Sequence, residues 1–446
     1  MIARRWRVPG RGDEAGDTQG IYFPIPRRRP MEANWLYLPS RPIPWLGLAS
    51  LRGNEVVSAQ AQSATVLPFP VPKTRPFRVA VVCDFPEENW HSMDLVGNML
   101  FDQLRQHTTI VTERVRPAMG FSGVCPRKSA RLLGRFVQYP RLLSKIVSNF
   151  DLFHIVDHSY AHLVHSLPRE RVIVTCHDLD AFNCLLQPER EPRSFAFRAM
   201  TRRVLSGLQA SVHVTCDTAA TRDNILEHQL LPAERLSVVH NGVHPSLSSH
   251  PDPFADREIA AKIGRAPGSC PELLHVGSTI PRKRIDVLLR VFAEVRDRMP
   301  GLRLIRVGTP LTSQQESLAA SLGVRKYIDC LERLDTRLLA ACYRRASVLL
   351  QTSDSEGFGL PVIEALACGT SVIASNIASL REVGGDAADY CSVGNVGEWT
   401  NTVLGVLSFD KKEPARYSSA VKQASRFTWV NYADQMLAIY RQVLSA

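Results

Sequence analysis

Ser353-Asp354-Ser355-Glu356-Gly357-Phe358-Gly359-Leu360-Pro361-Val362-Ile363-Glu364-Ala365-Leu366-Ala367-Cys368-Gly369-Thr370-Ser371-Val372-Ile373-Ala374-Ser375 is the stretch that decides the fold. It reads as a glycine loop, a short helix and a strand, and it follows Ser347 to Gln351, a short apolar run of buried-strand type. Pro361 suits the first helical position, where its missing N–H costs nothing, and Gly369 suits the left-handed residue that ends a helix. Strand, helix and strand in that order predict a βαβ crossover and therefore a parallel sheet. Gly357 and Gly359 let the backbone approach a ligand closely, and the helix behind them offers unpaired N–H groups and the positive end of its dipole. The expected ligand carries an anion.

Glu356 and Glu364 stand on either side of that turn, with seven residues between them. One lies in the loop and the other about one turn inside the helix, so the first faces the mouth of the expected cleft and the second lies beside the anion. A carboxylate next to a phosphate is repulsive unless it accepts hydrogen bonds from something joined to that phosphate. Vicinal sugar hydroxyls are such donors, and each bond to a charged acceptor is worth roughly 1.5–3 kcal/mol. Sugar, phosphate and sugar in a row describe a nucleotide-sugar. The competing reading is a surface loop with two solvated glutamates, which leaves Pro361, Gly369 and both loop glycines unexplained.

The chain has 446 residues, more than one hydrophobic core usually supports, so two domains are expected. Hydrophobic residues make up 45% and charged residues 22%, which suits a globular enzyme, and no uncharged apolar run is long enough to span a bilayer. The ten cysteines form no Cys-x-x-Cys pair and no zinc-type spacing, so they read as buried thiols of a reducing, cytoplasmic compartment. The net charge of +11 is uneven: before Pro76 basic residues outnumber acidic ones by six. A mildly basic body with a basic tail does not call for nucleic acid. Residues 1–76 are rich in Pro, Arg and Gly without either helical or strand period, and read as a disordered extension. A polybasic arm on anionic lipid competes there with a tail that does nothing.

Order is expected from Phe77 to Asp84, a strand, followed by a polar loop holding Trp90, His91, Ser92 and Met93 and a helix from Asp94 to Gln106. Loops at carboxyl ends of such strands border the ligand crevice, which makes Trp90, His91 and Ser92 acceptor candidates. Arg127, Arg131 and Arg135 fall on one helical face, with Arg141 and Lys145 beyond Pro140. That stripe reads either as a contact with an anionic membrane face or as a solvated surface. Four further strands, Leu152 to Val156, Arg171 to Thr175, Ser211 to Thr215 and Leu236 to Val239, each end in polar residues, among them His177-Asp178-Leu179-Asp180. Asp178 and Asp180 have the spacing of a metal-binding Asp-x-Asp, but they follow a strand of the first half while the anion site lies in the second, so no metal is expected. After a Pro/Ser/Asp-rich link at 245–268 a second series begins with Leu273 to Gly277, then Ser278 to Arg284 and a helix from Ile285 to Arg298. Arg282 and Lys283 at that turn are placed to neutralise a diphosphate. A last helix is expected within Ser425 to Leu444.

Taken together, Glu356-Gly357-Phe358-Gly359-Leu360-Pro361 to Glu364-Ala365, the Gly277 to Lys283 turn, Asn241-Gly242-Val243, His177-Asp178 and Phe427-Thr428-Trp429 resemble the retaining glycosyltransferases of family 4. The resemblance covers roughly residues 77–446 and is strongest in the second half. It implies the GT-B fold: two Rossmann-like, doubly wound α/β domains facing across a cleft, an acceptor-binding domain at 77–246, a nucleotide-sugar-binding domain at 247–426, and a helix at 427–446 that packs back on the first. Carried over residue by residue, Glu364 would hold the ribose hydroxyls and Glu356 a hydroxyl of the transferred sugar. The N–H groups of Phe358, Gly359 and Leu360 would hold donor sugar and diphosphate. Lys283 and Arg282 would meet the diphosphate beside Gly277 and Ser278, and His177 the donor sugar. Ser278 stands where many members carry Arg, and the glycine-rich loop usual after the first strand is replaced by Trp90-His91-Ser92-Met93.

The function implied is transfer of a hexose, with retention, from a GDP- or UDP-sugar to an acceptor hydroxyl on a glycan or a lipid-linked acceptor at the inner membrane face. The nucleotide-sugar is a co-substrate, and neither metal nor cofactor is required. Two other readings stay open: a different GT-B enzyme, such as a nucleotide-sugar epimerase or a phosphorylase, and a scaffold that binds nucleotide-sugars without turnover.

Overall fold

The computed structural model describes residues 75–120, 126–332, 334–408 and 414–445; the expected extension up to residue 74, with its polybasic arm, lies outside them. Two six-stranded parallel sheets form in succession. The first has the order β2-β1-β3-β4-β5-β6, from β1 (Phe77–Val82), β2 (Ile110–Val115), β3 (Leu152–Ile155), β4 (Val172–Cys176), β5 (His213–Cys216) and β6 (Leu236–Val238). The second runs β12-β11-β10-β7-β8-β9, from β7 (Glu272–Val276), β8 (Arg303–Val307), β9 (Ile328–Leu331), β10 (Val348–Gln351), β11 (Ser371–Ser375) and β12 (Asp389–Cys391). In each sheet the strand order reverses once, between β1 and β3 and between β7 and β10. Ligands of open α/β sheets sit at the carboxyl ends of such reversal points.

The central strands are apolar on both faces because helices cover both. β4 (Val-Ile-Val-Thr-Cys) and β10 (Val-Leu-Leu-Gln) are buried at every position. β2 is an edge strand whose Ile-Val-Thr-Glu-Arg-Val buries only Ile110 and Val115, and sequence patterning missed it for that reason. The helix Ile285–Arg298 turns Val287, Leu288, Val291, Phe292 and Val295 inward, all buried. The stretch at 245–268, expected to be a link, contains a helix, Pro253–Ile263. Asp252 caps it by accepting from the Phe254 and Ala255 N–H groups, Pro253 opens it, and Gly264 ends it at φ +73°. Its buried face, Ala255, Ile259 and Ile263, completes the core under the second sheet.

Two other expectations change. His91, Ser92 and Met93 form the first turn of the helix His91–Leu104 rather than a loop, with Trp90 at its N-cap. Arg131 and Arg135 do more than line a surface: both close on Glu88, whose side chain is 1% exposed, at 2.8 and 2.7 Å from Oε1, with Arg135 largely buried and Arg131 still in contact with solvent. A carboxylate buried in the loop after β1 demands counter-charge, and two arginines one helical turn apart supply it. Burial alone would raise the Glu88 carboxyl, but Arg135 and Arg131 hold it below the ordinary range. The Arg127 side chain lies outside the described residues. Pro140 is tolerated because a π-helical turn, Gly134–Gln138, lets a new helix start at Tyr139. Among the described residues no helix is long and apolar enough to cross a membrane.

The chain leaves the first sheet and returns to it at one place. Val243 N–H donates to the Phe427 carbonyl at 3.0 Å, and a Cβ on Gly242 would lie 2.3 Å from the Trp429 nitrogen, so only glycine fits there. The helix Trp429–Ser445 then packs Trp429, Tyr432, Met436 and Tyr440 against Val79, Val81, Leu100 and Leu152 of the first half. The Tyr440 hydroxyl lies 2.6 Å from His154 Nδ1, and His154 Nε2 lies 2.7 Å from Thr175 Oγ1. Burial pushes His154 down to about 3, so its ring is neutral and needs both partners. Tyr440→Phe removes one of them and is expected to cost about 1–3 kcal/mol. The urea unfolding midpoint should fall with an unchanged slope, and an unmoved midpoint would contradict this packing.

Candidate functional site

At the reversal point of the second sheet, the turn after β7 and the loop after β10 are laced together. Asp354 N–H donates to the Arg282 carbonyl at 2.9 Å, and the Thr352 hydroxyl to the Lys283 carbonyl at 3.0 Å. Arg284 accepts a left-handed conformation, φ +48°, to end the Pro281–Lys283 turn and open the following helix. These ties bring Lys283 and Glu356 together: Nζ donates to Oε1 at 2.6 Å, with side chains only 11% and 6% exposed. Ser353 Oγ donates to the same oxygen at 2.6 Å, and Gln351 Nε2 adds a third donor. Arg282 Nη1 lies 3.5 Å from the other oxygen, Oε2. Burial would raise the Glu356 carboxyl, but Lys283 and Arg282 outweigh it and hold the group below its ordinary range.

Gly277 follows β7 at φ +147°, fixed by donation of its N–H to the Val307 carbonyl at 2.9 Å and by Arg306 Nη2, which donates to the Gly277 carbonyl at 3.1 Å. Ser278 is half-buried beside it. Gly359 caps the helix Leu360–Ala367 at φ +97°, which makes Leu360 its first residue and Pro361 its second. Phe358 does not turn its ring to a ligand: it is 4% exposed and packs against the rings of His240 and Phe427. Glu364 lies one turn into that helix, 7% exposed, and accepts from the Tyr343 hydroxyl at 2.6 Å through Oε2. Burial raises its carboxyl, and the Tyr343 bond offsets only part of the effect.

Gly357 has a different reason to be glycine from the one its sequence suggests. A Cβ there would sit 2.0 Å from the His177 carbonyl oxygen, so the loop after β10 passes directly against the loop after β4. Thr218 Oγ1 donates to the Gly357 carbonyl at 2.9 Å, and Thr221 Oγ1 to the His177 carbonyl at 3.2 Å. The two halves therefore meet at the candidate site itself.

His177 is placed there, but its ring is occupied. Nδ1 lies 2.6 Å from Asp217 Oδ2 and Nε2 lies 2.7 Å from the Val156 carbonyl, so neither nitrogen is left for a donor sugar in this arrangement. Burial would lower the imidazole, but Asp217 outweighs it and raises the group to about 9. At neutral pH His177 is an imidazolium donating from both nitrogens, which fixes the loop that meets Gly357. Sequence reasoning also missed Ser353 and Tyr343 at this site. Ser353 was visible as a polar residue just past a buried strand, whereas Tyr343 carries no local signal and is found only by the packing of its helix. Trp90 is tied elsewhere: its Nε1–H donates to Glu88 at 3.2 Å and its ring lies 5.9 Å from the Arg131 guanidinium.

A group raised from 6.5 to about 9 on folding adds stability that is complete below pH 6.5 and is lost as pH rises through 9. The stability advantage of the wild type over Asp217→Asn should therefore shrink between those two values. Urea midpoints across that range check it, and an advantage that holds constant or grows would contradict the imidazolium.

The Glycosyltransferase Family 4 model matches residues 91–247 and the Glycosyl transferases group 1 model residues 256–423, which includes every second-half site residue above. The D-inositol 3-phosphate glycosyltransferase of Nocardia farcinica is 30% identical over 311 residues, 64% of this chain and 67% of its own. That of Mycolicibacterium smegmatis is 30% identical over 239 residues, 50% of this chain, and the match spans about half of that relative, 54%. Among solved structures, sucrose-phosphate synthase from Thermosynechococcus elongatus superposes with a TM-score of 0.66 at 18% identity, over 83% of this chain and 99% of its own. Anabaena HepE, solved with UDP and glucose, gives 0.63 at 16% identity over 81% and 99%. The fold is thus GT-B, and with one family model over each half and the Nocardia relative, the chain belongs to the group 1 glycosyltransferases of family 4.

Proposed function

We propose that this protein transfers a hexose from a nucleoside-diphosphate sugar to an acceptor hydroxyl, with retention of configuration and without a metal. The observation that carries the reading is the charge centre at the β7/β10 reversal point: Lys283 at 2.6 Å and Arg282 at 3.5 Å from the two oxygens of Glu356, with Glu364 one turn into the adjoining helix. Two cations and the N-terminus of the Leu360–Ala367 helix suit a diphosphate, and two carboxylates suit the hydroxyls on either side of it. Glu364, raised by burial, would take the ribose hydroxyls, and Glu356 Oε2 a hydroxyl of the sugar.

Glu356 is a poor nucleophile, because Lys283, Ser353 and Gln351 share one of its oxygens and Arg282 faces the other. This favours front-side transfer. The acceptor oxygen bonds to the anomeric carbon on the face from which the phosphate oxygen departs, and the acceptor proton passes to the leaving diphosphate. Stabilising that diphosphate is then the main catalytic task of Arg282 and Lys283. Asp178 and Asp180 pair with Arg282 at 3.4 and 3.0 Å, which gives the Asp-x-Asp a partner other than a metal. The inositol phosphate in the relatives' name makes a phosphorylated cyclic polyol the first acceptor to try.

A screen of UDP- and GDP-sugars for transfer and slow hydrolysis tests the reading. Glu364→Gln is expected to lower kcat/KM for the donor roughly 10- to 150-fold, the worth of one hydrogen bond to a charged group, and Glu356→Ala at least as much. Product anomeric configuration should match the donor, and chelator should leave the rate unchanged. Absence of donor turnover, or variants that equal the wild type, would sink the assignment, and loss of activity in chelator would return Asp178 and Asp180 to a metal.

A further inference from the structure

The Arg282 guanidinium has no nitrogen to spare. Its Nη1 donates to the Ser355 carbonyl at 3.1 Å and lies 3.5 Å from Glu356 Oε2, while Nε and Nη2 face Asp180 Oδ2 at 3.0 Å and Asp178 Oδ2 at 3.4 Å. The first two partners belong to the same loop of the second half. The two aspartates come from the other half, from the loop that follows β4, so the pairing bridges the cleft. Ser355 Oγ adds a second link, 3.3 Å from Asp180 Oδ1, and Asp180 N–H donates to Asp178 Oδ1 at 3.1 Å, which keeps the two carboxylates together. They are held against each other: burial and then Asp178 raise the Asp180 carboxyl, and Arg282 offsets only part of this.

A diphosphate arriving between Lys283 and the Leu360–Ala367 helix would add negative charge where Asp178, Asp180, Asp354 and Glu356 already act on Arg282. It cannot gain a direct bond from Arg282 unless a present partner gives way. Ser355 and Glu356 belong to the same loop of the second half, whereas Asp178 and Asp180 reach Arg282 from the loop after β4 in the first half.

Resting on the donor-site reading above, we propose that Asp178 and Asp180 are an internal stand-in for the diphosphate. They hold Arg282 and latch the two halves together until a nucleoside diphosphate exchanges for them, so that capture of the donor frees the loop after β4. This gives the Asp-x-Asp motif a role in positioning Arg282 and in timing access to the cleft. The carboxylates compete with the donor and do not bind it.

The test uses UDP and GDP as probes with the full chain, by titration calorimetry. The isosteric double variant Asp178→Asn, Asp180→Asn should bind the nucleoside diphosphate about fivefold more tightly than wild type, the effect of removing an ion pair that is a quarter exposed. In an Arg282→Gln background the same pair of changes should have no effect on affinity. Hydrogen exchange of the wild type supplies a second readout that needs no variant: amides of residues 178–182 should exchange faster when the nucleotide is saturating. Equal or weaker binding by the double variant, or slowed or unchanged exchange at 178–182, would overturn the latch while leaving the donor site standing. Binding that requires Mn²⁺ and is lost in the double variant would overturn it in favour of a metal site. No binding of either nucleotide by the wild type would overturn both this proposal and the reading it rests on.

Discussion

Everything at the candidate site depends on one buried carboxylate that has to be neutralised. Glu356, with 6% of its side chain exposed, is tenable as an anion only because Lys283 donates to it at 2.6 Å and Arg282 stands behind its second oxygen. A buried ion pair of this kind adds little net stability, since desolvation cancels much of the attraction, but removing one partner typically costs about 3–5 kcal/mol. The pair therefore acts as a constraint more than as a source of stability. It obliges the turn after β7 and the loop after β10 to stay in register, and the bonds from the Asp354 N–H and the Thr352 hydroxyl to the Arg282 and Lys283 carbonyls serve the same requirement.

The constraint reaches the first half through glycine. Because Gly357 has no side chain, the loop carrying Glu356 touches the His177 carbonyl, and His177 in turn is held by Asp217 and Val156. A second contact between the halves lies nearby: Glu382 accepts from His240 Nε2 at 2.7 Å and from the Ala219 N–H at 2.8 Å, at the start of the helix Ala219–Glu227. His240 sits just before Asn241-Gly242, where the chain leaves the first sheet. Relative movement of the halves is thus governed by a small number of polar contacts at the cleft and by the paired crossings at Val243 and Trp429.

Much of this was legible in the sequence wherever the signal is local. The order of strand, glycine loop, helix and strand around Glu356 follows from Pro361, Gly369 and two short apolar runs, and the helix Ile285–Arg298 from its periodicity. The helix Pro253–Ile263 was legible too, in Asp252-Pro253 and Gly264, but a Pro- and Ser-rich neighbourhood masked it. What could not be read is what folding adds from a distance. Nothing near residue 343 says that Tyr343 will reach Glu364, and nothing near residue 88 says that Arg131 and Arg135 will turn inward to a buried carboxylate. Gly357 and His177 were both read for a ligand; in the structure Gly357 is explained by the close approach of the His177 carbonyl, and the His177 ring by Asp217 and Val156.

The central claim is that Lys283 and Glu356 act as one charge unit towards the donor diphosphate. A double-mutant cycle on the dissociation constant for UDP or GDP, with Lys283→Met, Glu356→Gln and the two combined, measures this directly. The account predicts that the combined loss falls short of the sum of the single losses by at least about 1 kcal/mol, because each single change strands the other group in a buried site. Additivity to within about 0.5 kcal/mol would contradict it.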